Sequence, residues 1–172
     1  MEKFFLYLRE KLINDFLFNQ ADLDMQHSSW IEKRGDSRQS KSDFYWSCLN
    51  YAILYYAKNS TSLEFMYQKQ RDLYFLMFEF LLKEKRNVTQ IQKLINRVEV
   101  LKAGLAKFEI EVNFIPGNRC EYAKQFEGVK VPYKTALDSF PLDYDKCDRD
   151  GGCVCCLGFE GKRDGEGRLI RK

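Results

Sequence analysis

Five of the six cysteines of this chain lie in its last third, where their type and spacing could bind a metal ion. Cys147, Cys153, Cys155 and Cys156 fall inside C-D-R-D-G-G-C-V-C-C, and Cys120 lies upstream. A structural zinc ion takes four soft ligands in a tetrahedron, and thiolates supply them. The metal lowers the thiol pKa, so the ligands bind deprotonated. Gly151-Gly152 lets the chain turn sharply into the C-x-C-C run. The full spacing is C-x26-C-x5-C-x-C-C, with no C-x2-C knuckle. Free thiols packed as small hydrophobes, disulfides and an iron–sulfur cluster are the competing readings, and the last lacks its usual cysteine spacing. The favoured expectation is one structural zinc ion held by Cys120, Cys147, Cys153 and one of Cys155 or Cys156. Cys48 stands apart in an apolar helix and reads as inert core.

Little else in the sequence points to catalysis, and no enzyme is expected. His27 beside Ser28 and Ser29 has neither a nucleophile elbow nor an acid partner around it. Glu79 interrupts an apolar run and reads as solvent-facing, because lone acids seldom stay buried. Asp143, Asp145, Asp148 and Asp150 lack the oxygen ladder of a calcium loop and read as turn formers and an acidic rim. Lys162, Arg163, Arg168, Arg171 and Lys172 make the tail basic, a weak candidate for phosphate contact. Glu160, Asp164 and Glu166 partly offset it, and the net charge is only +3. The expected function is therefore a binding or scaffold protein whose partner is a protein or an assembly. The alternative is a nucleic-acid-binding accessory factor that uses the tail.

The compartment bears on the cysteines. Arg9, Glu10 and Lys11 cut short the apolar start of the chain, so no secretory signal is read there. The longest apolar stretch, Leu73 to Leu82, is about half of what a bilayer needs. An intracellular, cytoplasmic chain without a membrane span is expected, where disulfides are rare and metal sites common.

The elements that must position these residues follow from periodicity. At 172 residues, with 45% hydrophobic and 31% charged, the chain can bury a core. Phe4, Phe5, Leu8, Leu12, Ile13 and Phe16 form a helical stripe over 1–18. Residues 19–42 are polar and read as a long connector, anchored by Trp30 and Ile31. A second helix is predicted over about 42–58. Thr61-Ser-Leu-Glu64 has capping-box form and starts a third, to about Glu84. Its Leu73, Phe75, Leu76, Phe78, Phe80 and Leu81 should be buried. Asn87-Val-Thr-Gln90 starts a fourth. From Phe108 to Phe114 the period drops to two, which predicts a half-buried strand. Asn118 could cap a short helix ending at Gly128, and 129–132 is a candidate partner strand. Residues 133–172 read as loop-rich. The expectation is a mainly α protein: a helical bundle over 1–107 and a small, zinc-stabilised α+β module over 108–172.

Residues 119–156 contain R-C-E-Y-A-K-Q-F-E-G-V-K-V-P, then F-P-L-D-Y-D-K-C and G-C-V-C-C. This segment loosely resembles the cysteine-containing part of phage head-morphogenesis (minor capsid) domains. The matching positions are Cys120, Gly128, Pro141, Leu142, Cys147, Cys153 and Cys155. The resemblance covers about a third of the chain and carries no histidine beside the last cysteines. It implies a capsid-associated or mobile-element protein without catalysis.

Overall fold

The computed structural model describes residues 2–117, 120–138 and 143–172. Among them are seven helices and one small antiparallel sheet, so the architecture is mainly α with an α+β C-terminal part. The chain divides into two compact units, Met1–Ser60 and Thr61–Lys172. The change of period near residue 107 therefore falls inside the second unit. A long helix shares a core with the sheet there: Val100 packs with Ile110, Val112 and Ala136.

The first unit holds α1 (Glu2–Asn14), α2 (Gln20–Arg34) and α3 (Arg38–Asn59). Helices α1 and α2 each pack on α3. Phe5, Leu8, Leu12, Leu23, Phe44, Leu49 and Ala52 are buried. The expected connector over 19–42 is mostly helix α2, a correction. Asn19 caps it by accepting from the Asp22 amide at 2.8 Å. The polar sequence hid this helix because Leu23 is its only fully buried residue. Trp30 anchors it as expected, through Nε1–H to the Ser40 carbonyl at 3.0 Å. His27 lies on α2 against the Phe44 and Tyr45 rings, and burial lowers its pKa.

The second unit begins with α4 (Leu63–Lys83) and α5 (Thr89–Ala103), which pack along each other. The Ser62 hydroxyl caps α4 by accepting from the Phe65 amide at 3.2 Å. Leu73, Leu76, Met77, Phe80 and Leu81 form the buried face of α4. Phe75 departs from expectation: it is 40% exposed, with the Arg71 guanidinium 5.0 Å from its ring. Phe78 is half-buried and Glu79 exposed. A helix this apolar still turns one side outward, and Phe75 and Glu79 share it.

The sheet has the order β2-β1-β3, with β1 (Ile110–Ile115) in the middle. Ile110, Val112 and Phe114 are buried, the alternation read from the sequence. The partner strand β2 (Lys130–Pro132) sets Val131 opposite Val112. A third strand, β3 (Cys156–Gly161), forms where only loop was expected. Helices α6 (Glu121–Lys124) and α7 (Tyr133–Asp138) flank β2 in sequence, and Tyr144–Lys146 is a 3-10 turn. The expected Asn118 cap and the resemblance positions Pro141 and Leu142 lie outside the described residues. Among the described residues, no helix is long and apolar enough to cross a membrane.

Candidate metal centre

Three separate segments deliver cysteines to one place. Cys120 precedes α6, Cys147 follows the 3-10 turn, and Cys153 and Cys155 lie in the loop that leads into β3. Cys120, Cys153 and Cys155 are each no more than 2% exposed and pack with Phe114, Ala123 and Tyr144. Cys147 is half-buried against the same cluster. Cys156 is exposed, and its thiol faces the Val154 carbonyl at 3.5 Å. The reason is local. In an extended C-x-C-C run, neighbouring side chains alternate sides. Cys153 and Cys155 share one side, and Cys156 faces the other. Cys48 lies in the core of the first unit, where burial pushes its thiol up to about 12.

The thiols interact in a chain. Cys120 contacts both Cys147 and Cys155, and Cys155 contacts Cys153. Burial pushes the Cys120 thiol up to about 12, and the neighbouring thiols add to the shift. Burial likewise raises Cys153 well above the usual thiol range. Burial favours neutral Cys120 and Cys153 thiols without a cation, and a bound divalent ion would reverse that preference. Backbone amides already point at the sulfurs. The Gly117 amide donates to Cys155 Sγ at 3.3 Å, and the Cys155 amide to Cys153 Sγ at 3.5 Å. The Cys155 amide favours the thiolate of Cys153, against the larger effect of burial. The sequence did not single out Asp148 as a ligand. Its carboxylate, Cys120 Sγ and Cys147 Sγ all lie within 4.8 Å of one another. Clustered cysteines with one aspartate could hold a metal ion, and soft sulfur donors suit zinc, copper(I) or iron–sulfur chemistry.

Helix α5 supports this loop through residues that sequence reasoning passed over. Thr89, Gln92 and Asn96 are polar yet buried. The Thr89 hydroxyl accepts from the Cys153 amide at 3.0 Å. Asn96 Nδ2 donates to the Cys155 carbonyl at 2.9 Å and to the Tyr144 hydroxyl at 2.7 Å. Gln92 Nε2 donates to Asn96 Oδ1 at 3.0 Å. The available signal was three polar residues at three- and four-residue steps in an amphipathic helix, beside the apolar Ile91 and Ile95. The close approach of the loop explains Gly152. Its φ is +96°, and an added Cβ would sit 2.5 Å from Asn87 Oδ1 and 2.6 Å from Thr89 Oγ1.

The basic tail lies elsewhere and is structured. Arg163 and Leu169 pair across a turn, and Arg171 pairs with Phe108 beside β1. Lys162 reaches Glu109 at 3.3 Å, and Lys172 Nζ donates to the Gly104 carbonyl at 2.7 Å. Arg163 donates to the Gly167 carbonyl at 2.6 Å, and Arg168 pairs with Asp164 and Glu166. Much of its charge is thus directed at the protein itself. Comparison of the chain with protein-family models, with curated proteins and with solved structures returns no match.

Proposed function

We propose that this is a non-enzymatic binding or scaffold protein whose second unit is stabilised by one zinc ion on Cys120, Cys147, Cys153 and Cys155. One observation carries the reading: the buried Cys120, Cys153 and Cys155 and the half-buried Cys147, from three chain segments, pack in one cluster, while Cys156 is exposed. The surrounding segment is short of core of its own. Helix α6 has four residues and β2 three, so a metal crosslink contributes what packing does not. Four thiolates complete a tetrahedron and leave no open position for water, which suits a structural role. The resemblance of residues 119–156 to head-morphogenesis domains supports a protein assembly as the partner.

Cobalt(II) substitution tests the ligand set. A tetrathiolate site gives strong sulfur-to-cobalt charge transfer and intense tetrahedral d–d bands. Cys156→Ser and Asp148→Asn should leave that spectrum unchanged, and Cys155→Ser should alter it. A spectrum that responds to Cys156→Ser or Asp148→Asn would replace this ligand set with another.

A further inference from the structure

We infer that helix α5 preorganises one half of the metal centre, with Thr89 and Asn96 acting as positioning residues for Cys153 and Cys155. The inference rests on the metal reading above for its purpose, but its geometry is independent of any ion. Asn96 is 2% exposed, Gln92 3% and Thr89 7%. Burying a polar side chain without a partner costs about 1–3 kcal/mol. Here each is paired: Thr89 accepts from the loop, Asn96 donates to it, and Gln92 bonds Asn96 within the helix. The Cys155 carbonyl can only accept, so the Asn96 amide must turn its nitrogen toward it. Gln92 holds Asn96 from the other side by donating to its oxygen. At the helix start, the Val88 amide donates to the Gly151 carbonyl at 2.9 Å, and the Thr89 amide donates to Asn87 Oδ1 at 2.8 Å. The loop from Gly151 to Cys155 is therefore bonded to α5 at three points: Gly151, Cys153 and Cys155.

The other half is held differently. The Cys120 amide bonds the Gly117 carbonyl at 3.1 Å, and the Cys147 amide bonds the Tyr144 carbonyl at 3.2 Å. Both are bonds within a local turn, and Cys120 opens a helix of only four residues. Isolated helices of that length have no stability of their own. Cys153 and Cys155 thus stand in place before a metal arrives, and the segments of Cys120 and Cys147 close onto them.

Amide hydrogen exchange on the full chain tests this, with metal-free protein under reducing conditions and with one equivalent of zinc. The Cys153 and Cys155 amides should be protected in both states. The Ala123 and Lys124 amides should gain at least about tenfold protection only with zinc. Thr89→Val removes the acceptor at nearly constant volume, and Asn96→Asp removes both donors. Each should lower metal-free protection at Cys153 and Cys155 at least about tenfold. Each should also weaken zinc affinity by about 10- to 100-fold, the usual effect of losing a group that orients a ligand. Thr89→Ser keeps the hydroxyl and should restore both. Free exchange of Cys153 and Cys155 in the metal-free wild type overturns the inference. So does a Thr89→Val protein with unchanged protection and affinity. A chain that takes up no zinc defeats the metal reading instead, and the metal-free measurements then decide the inference alone.

Discussion

Cys153→Ser is expected to lose the metal and to loosen the segments of the second unit that carry Cys120 and Cys147. Cys153 is 1% exposed and sits between Cys155 and the amide-to-Thr89 bond. A serine hydroxyl is a poor zinc ligand, so the tetrahedron opens at that corner. Structural zinc on thiolates contributes on the order of 10 kcal/mol of binding free energy, which is folding free energy where the site forms with the fold. That is comparable with the whole net stability of a typical domain, about 5–15 kcal/mol. Loss of the ion should therefore loosen residues 120–138 and 143–150 first, while the Gly151–Cys155 loop keeps its bonds to α5. The helices of the first unit should keep their exchange protection, because their core contains none of these residues. Cys48→Ser and Cys156→Ser should keep the metal, since neither thiol belongs to the cluster. Metal analysis and amide exchange on the three variants check this. A Cys153→Ser protein that retains its metal and its order would contradict it.

Phe80→Ala should cost about 3–5 kcal/mol, and Phe75→Ala less than about 1 kcal/mol. Both lie on α4, in one dense apolar run, and the sequence treats them alike. Phe80 is 1% exposed, so truncation leaves a cavity in the core. Phe75 is 40% exposed and loses mainly its contact with Arg71. Denaturant midpoints at unchanged m-value separate the two. A wild-type midpoint for Phe80→Ala would move the centre of this core elsewhere.

Periodicity and caps made most of the helices legible. Ser62, one residue after the Thr61 read as a cap, caps α4, and α5 starts two residues after Asn87 but its N-cap, Val88, makes no side-chain cap bond; α3 and α4 end close to their expected limits. The strand β1 was legible because Ile110, Val112 and Phe114 alternate with polar residues. Helix α2 was not, since a helix burying little beyond Leu23 carries no apolar stripe. Strand β3 was not either: C-L-G-F-E-G holds two glycines, and pairing with β1, not local propensity, makes it a strand. For the site, the cysteines announce themselves by type and clustering. Spacing alone left Cys155 and Cys156 equivalent, and the alternation imposed by the extended backbone separates them. The supporting residues Thr89, Gln92 and Asn96 lie about 60 residues away in sequence, a distance that only the fold closes.

The most direct test is the zinc content of full-length protein purified under reducing conditions and never exposed to a chelator. The expected result is one zinc ion per chain, retained by Cys156→Ser and lost by Cys153→Ser and Cys155→Ser. Substoichiometric zinc in the wild type, or a disulfide at Cys147 or Cys153 in the reduced protein, would contradict the proposed centre.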